Sequence, residues 1–249
     1  MYYLDFFAQM HARLQPQAYL EVGVASGKSL RLASCRSVGV DPGYAITVPL
    51  DGDVALFRTT SDEYFSSPDP LAATGGVPFD LAFIDGLHLF EFALRDFINT
   101  ERSCSRHGLI VFDDVLPRTV DEAARQRVTK AWTGDVFPIL EVLAEYRPGL
   151  SVLPVDTQPT GLLLVTGLDP TDTTLADHYD DIVARFRRPD PQHVPADLMD
   201  RLTVLQPEAV LEAEFWEILR TQRGGPDRMH AELAESLRTT LGRDFARLA

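Results

Sequence analysis

Apolar positions recur along the chain in two periods, and the switches between them lay out its elements. Leu4, Phe7, Ala8, His11 and Leu14 share one helical face, which Pro16 ends. A short apolar run over 19–24 reads as a strand that gives way to Gly23 and Gly27. Further strands are predicted at 36–41, 55–59, 79–84, 108–112, 150–155 and 161–166, the last two joined by a turn at Gln158-Pro159-Thr160. Helical patterns fall between them: 28–34, a start at Ser61-Asp62, the stripe Phe90, Ala93, Leu94, Phe97 and Ile98, and a long stretch over 119–147 broken near Gly134. Such alternation predicts an α/β fold, a mostly parallel seven-stranded sheet with helices on both faces.

Beyond residue 167 only helical periodicity remains, with more proline and charge. One stripe is Leu175, Tyr179, Ile182, Val183 and Phe186; a second is Leu211, Phe215, Ile218 and Leu219; a third is Leu233, Leu237, Leu241 and Phe245. R-P-D-P-Q at 188–192 and R-G-G-P-D at 223–227 separate them. The expected organisation is a core over 1–170, including the N-terminal helix, and a helical extension over 171–249. That extension would serve as a lid, as packing or as a dimer contact. The N-terminal helix is expected to cover a sheet edge or to help close the site.

Composition narrows the partners. With 37 acidic against 23 basic residues, the net charge is −14, which argues against nucleic acid and anionic membranes. No apolar run reaches the ~20 residues of a membrane span. The two cysteines, Cys35 and Cys104, show no metal-type spacing and fit a reducing compartment. The N-terminus has no signal-peptide pattern, so a cytoplasmic protein is expected.

Acidic residues stand at predicted carboxyl ends of strands: Asp41, Asp85, Asp113 and Asp114. In open α/β sheets, ligands bind in the crevice outside those ends. The loop over Tyr19–Ser29 reads Y-L-E-V-G-V-A-S-G-K-S. A tight phosphate loop would need one more residue before Gly27-Lys28, and a dinucleotide fingerprint would need glycine at Ala25. What remains is E-x-G-x-x-x-G on Glu21, Gly23 and Gly27, or an ordinary strand–helix turn. Asp41, twenty residues after Glu21, suits a carboxylate that accepts ribose hydroxyls, or a turn residue before Pro42. Ser61 also suits a helix N-cap. His88, three residues past Asp85, is a candidate general base or a capping histidine.

Four segments carry a family likeness: Y-L-E-V-G-V-A-S-G, V-G-V-D-P, F-D-L-A-F-I-D-G-L-H-L-F-E and G-L-I-V-F-D-D-V. Together they resemble class I S-adenosylmethionine (SAM) methyltransferases, in the branch with an I-D-G-x-H segment that includes O-methyltransferases of macrolide sugars. The likeness covers about residues 18–115 and continues loosely to 166. It implies a Rossmann-like core with SAM held by Glu21, Gly23, Val24, Ser26, Gly27, Ser29, Asp41, Ser61, Asp62 and Asp85. It implies His88 and Asp85 as the catalytic pair, and Mg²⁺ on Asp85, Asp113 and Asp114. The implied acceptor is a small hydroxylated molecule such as a natural-product sugar; a homodimer is a further expectation. W-T-G-D-V at 132–136 could line the acceptor pocket or make a capped helix–helix turn, the turn being favoured, and the remaining histidines read as structural. Two other readings stay open: a nucleotide- or phosphate-binding protein with a degenerate P-loop at 23–29, supported by Lys28-Ser29, and a non-catalytic partner protein on the same fold.

Overall fold

The computed structural model describes residues 1–223 and 229–242. Its centre is a seven-stranded sheet: β1 (Ala18–Val22), β2 (Arg36–Val40), β3 (Val54–Phe57), β4 (Phe79–Ile84), β5 (Cys104–Phe112), β6 (Ser151–Val155) and β7 (Leu162–Thr166). The order across the sheet is β3-β2-β1-β4-β5-β7-β6. All pairs from β3 to β5 are parallel, while β7 lies antiparallel between β5 and β6. The fold is the expected Rossmann-like one.

Strand alternation sends side chains to two separate cores. Leu20 and Val22 of β1, Ala82 and Ile84 of β4, and Ile110 and Phe112 of β5 face one of them. It is covered by α3 (Phe90–Ser103), α4 (Ile139–Tyr146) and α6 (Tyr179–Phe186), together with the short helices α2 (Ser61–Phe65), α5 (Thr174–Asp177) and α7 (Ala196–Met199). Tyr19, Phe83 and Val111 face the other core. There α1 (Tyr3–Leu14), α8 (Pro207–Glu212), α9 (Phe215–Thr221) and α10 (Met229–Leu241) lie on the sheet. A register shift in the β4–β5 pairing between Phe79 and Leu81 puts Phe79 on the first side with Ala82.

Three local expectations differ from the structure. The helix at 28–34 is only a 3₁₀ turn, Leu30–Leu32. The chain has to travel from Val22 to Arg36, a crossover at the short limit for parallel strands, and the glycine loop takes half of it. The helix at 119–147 is reduced to α4. Gly134 sits at φ +57° and Pro138 precedes the helix, while residues 119–131 offer no apolar stripe to bury. Thr60, not Ser61, caps α2: its hydroxyl accepts from Glu63 N at 3.2 Å and the Glu63 carboxylate takes Thr60 N in return.

The helix α1 lies on a face of the sheet rather than over its edge, and its start is tied to the β6–β7 turn. Tyr3 N donates to Gln158 O at 2.9 Å and Gln158 N donates to Met1 O at 2.8 Å. The extension adds a bridge to β6, with Leu205 N donating to Pro154 O at 2.8 Å, and fills the second core with Leu211, Phe215, Trp216 and Leu219. Leu233 and Leu237 from the third stripe join them. Phe245, most of the 223–227 segment and the His230 side chain lie outside what is described. No described helix is long and apolar enough to cross a membrane.

Candidate active site

The glycine loop meets the end of β4. Gly23 has φ +91°, and a Cβ there would lie 1.9 Å from the Asp85 carbonyl oxygen. No side chain fits between the two backbones, so this position requires glycine. Gly27, at φ +80°, turns beneath Ile46, whose Cδ1 would stand 3.1 Å from an added Cβ. The segment after β2 folds back over the loop: Ala45 N donates to Ala25 O at 2.8 Å and Thr47 N to Ser26 O at 3.1 Å. Ser26 is therefore held through its carbonyl, and Val24 is a core side chain.

Glu21 and Ser29 belong under the loop rather than in the crevice. Glu21 is fully buried, and its carboxylate accepts from Tyr19 OH at 2.5 Å and Ser29 Oγ at 2.7 Å. Burial raises its pKa to about 8, against the pull of those two hydroxyls. Asp41 does face the crevice at the end of β2. Its two oxygens accept from Ala25 N at 2.7 Å and Gly43 N at 2.6 Å, joining the loop to the following turn. Asp62 pairs with Arg95 at 2.6 Å. Ser61 hydrogen-bonds the buried Asp96, whose carboxyl is raised to about 7 by burial.

His88 stands at the centre of the acids. Its Nε2 lies 3.1 Å from Asp85 Oδ1, and its Nδ1 lies 2.8 Å from Asp114 Oδ2 and 3.1 Å from Trp132 O. Carboxylate and carbonyl oxygens only accept when ionised or neutral respectively, so both ring nitrogens must donate and the ring is an imidazolium. Burial alone would lower the pKa of His88; Asp114 and Asp85 outweigh it and raise it to about 11. Burial lifts Asp85 to about 6. Asp113 is lifted well above the usual carboxylate range by burial and by the charges of Asp114 and Asp85. Tyr3 of α1 is close enough for Asp113 and Asp85 to add to the rise that burial gives its hydroxyl.

Among the described residues, the three side chains that could share one cation are Asp85, His88 and Asp114, with one ligand atom each within 4.8 Å of the others. Asp113 is outside that group, and its Oδ1 accepts from Asp114 N at 2.8 Å. This group shares Asp85 and Asp114 with the trio expected from sequence and has the His88 imidazole where Asp113 was expected. A small cavity beside it is lined by Asp85, His88, Asp96 and Asp113. A wider cavity, about 810 Å³, lies between α4, β6 and residues 185–203 and shares no residue with these acids. The chemistry and the strand ends single out the smaller site.

Asp96, Tyr3 and Trp132 were not assigned to the site by sequence. Nothing marks Asp96 within its helix, and Tyr3 arrives from the far end of the chain. Trp132 stacks on His88 with ring centroids 5.1 Å apart and planes at 8°. W-T-G-D-V does turn the chain, but only at one end does it meet a helix, α4, and the turn forms one wall of the site.

Residues 20–115, from β1 through the end of β5, match the family model described as a methyltransferase domain. No curated protein matches the chain. Among solved structures, the cofactor-bound Rv0187 from MTB has a TM-score of 0.50 at 19% identity, over 66% of this chain and 78% of that one. An S-adenosylhomocysteine-bound methyltransferase of Podospora anserina, PaMTH1, has a TM-score of 0.48 at 15% identity, over 67% and 78%. The O-methyltransferase TomG from Streptomyces achromogenes, of tomaymycin synthesis and in complex with SAM, has 0.47 at 16%, over 65% and 78%.

Proposed function

We propose that this chain is a SAM-dependent methyltransferase that methylates a hydroxyl group of a small molecule. The observation that carries this reading is the junction of the glycine loop with the end of β4, where Gly23 abuts the Asp85 backbone and leads directly to His88. A cofactor over the loop would rest against Gly23 and Gly27, with Asp41 at its ribose and Ser61 and Asp62 towards its base. Glu21 and Ser29 act beneath it by fixing the loop. When bound, SAM supplies a methyl group on a sulfonium, already activated for in-line displacement. The protein's task is then to orient the acceptor and take its proton.

Asp85, His88 and Asp114 are the groups placed for that proton. In the present arrangement His88 holds one on each nitrogen, so it can serve as a base only when the charge of the carboxylates is offset. A divalent cation on Asp85 and Asp114 would provide that offset. Two carboxylates suit Mg²⁺, which prefers oxygen; an imidazole as the third donor suits a transition metal better. The acceptor reading of a natural-product sugar rests on the sequence likeness alone. The enzyme would work in the cytoplasm, as a homodimer.

The phosphate-loop alternative gains no support from the geometry. Lys28 is exposed, the Ser29 hydroxyl is engaged by Glu21, and only a 3₁₀ turn follows the loop, without the row of free N–H groups that binds phosphate. Calorimetric titration with S-adenosylhomocysteine, with Mg²⁺ or with EDTA, tests the proposal. The expected outcome is one site per chain with micromolar affinity in both buffers. Binding of ATP in its place would overturn it.

A further inference from the structure

His88 is held in an unfavourable backbone state, φ +54°, which a histidine adopts only when its surroundings enforce it. The enforcing segment is the irregular stretch 117–138. Gly134 packs so close that a Cβ would lie 1.7 Å from the His88 carbonyl oxygen, and Trp132 supplies both the stacked ring and the carbonyl that receives Nδ1–H. This stretch has no helix or strand of its own, so something else must fix it.

Its anchor is Arg125. The guanidinium forks onto Glu91, at 3.0 and 2.6 Å, and also pairs with Asp135. Asp135 is fully buried, and its other oxygen accepts from Phe90 N at 3.1 Å, at the start of α3. One side chain thereby joins both ends of the Trp132 turn to the first residues of α3, immediately after His88. The backbone around Arg125 is pinned in turn from the extension. Asp190, in the R-P-D-P-Q segment, accepts from Arg125 N at 3.0 Å and Gln126 N at 3.3 Å. Arg187, just before that segment, adds a contact to Glu91 at 3.2 Å. Glu122 closes the turn from inside, with its carbonyl accepting Thr133 N at 2.9 Å and Gly134 N at 3.2 Å.

We infer that Arg125, seated by Asp190 of the C-terminal extension, is a positioning residue that sets the His88 imidazole against Trp132, Asp85 and Asp114. The catalytic meaning of that placement rests on the methyltransferase reading; the placement itself does not. The extension thus reaches the chemistry through a relay of fixed groups, not as a lid over the crevice. A lysine at 125 would keep the charge and lose the fork that spans Glu91 and Asp135.

The test reads the histidine directly. In isotope-labelled protein, the His88 ring-proton resonances are identified by comparison with His88→Gln. They should lie upfield because of the stacked indole, and Trp132→Leu gives their unstacked position. Arg125→Gln should move them most of the way to that position while S-adenosylhomocysteine affinity is retained. Asp190→Ala, which leaves the Arg125 side chain and its carboxylates in place, should move them part of the way. Unmoved His88 resonances in a folded Arg125→Gln protein would overturn the inference. If Arg125→Gln does not fold, Asp190→Ala decides, and unmoved resonances there overturn it equally. A wild-type protein that ignores S-adenosylhomocysteine would defeat the functional reading and leave this comparison intact.

Discussion

The Glu21 carboxyl is buried between two hydroxyls, and its pKa of about 8 makes it neutral at physiological pH. The folded value lies above the ordinary 4.5, so the stability it contributes is complete below that pH and fades as pH rises through 8. Glu21→Gln mimics the neutral form. Its unfolding midpoint should match the wild type near pH 5 and exceed it increasingly by pH 9, as thermal denaturation would show. His88 carries the same sign with a higher window. Its folded pKa of about 11 lies above the ordinary 6.5, so its contribution is whole below 6.5 and falls towards 11. The deficit in midpoint of His88→Ala against wild type should therefore be larger at pH 7 than at pH 10. The Asp85–His88 pairing was legible in the sequence, because three residues past a strand end is within one turn. The contacts of His88 with Asp114 and Trp132 were not, since these come from separate segments that only the fold brings together. Glu21 and Ser29 were legible as loop residues but not as supports beneath it. Strand alternation turns Glu21 to the face of Tyr19, away from the crevice.

Among the elements, strands were readable and two helices were not, for a common reason. A strand buried on both sides declares itself by an apolar run of four to six residues. The stretches at 28–34 and 119–138 are spent instead on reaching the next strand and on holding the site, tasks that leave no periodic mark. The glycine loop is the connecting element with the least tolerance. Gly23→Ala would combine a positive φ with backbone-to-backbone overlap at Asp85. A loss of at least about 1–3 kcal/mol is expected from the backbone state alone. Denaturant unfolding should report that loss, and S-adenosylhomocysteine affinity should fall with it. A variant with unchanged midpoint and affinity would show that the loop can retreat from β4.

At the scale of the molecule, the C-terminal extension is part of the core. Leu205, Val210, Leu211, Phe215, Trp216, Leu219, Leu233 and Leu237 all bury into the layer that holds α1 on the sheet. Each such side chain contributes about 1.5–3 kcal/mol on burial. Together they match or exceed the ~5–15 kcal/mol by which a folded domain is stable. A chain ending at residue 170 should show no cooperative thermal transition by circular dichroism and should bind hydrophobic dyes. A sharp transition there would make the extension a separate unit. The helical stripes were legible from sequence, but not their partner, because periodicity reports that a face is buried and not against what.

The antiparallel strand β7 enters the sheet between β5 and β6, both of which precede it in the chain. On the ribosome, β5 must therefore wait with one edge unpaired while more than fifty further residues are made. That edge carries Leu109, Ile110, Val111 and Phe112 in succession, an open invitation to a neighbouring nascent chain. Newly made protein should thus be most prone to aggregate, and most dependent on chaperones, between the synthesis of β5 and the arrival of Leu162–Thr166. Its yield in cells would then answer to the pace of translation across that interval more than to the stability of the finished molecule.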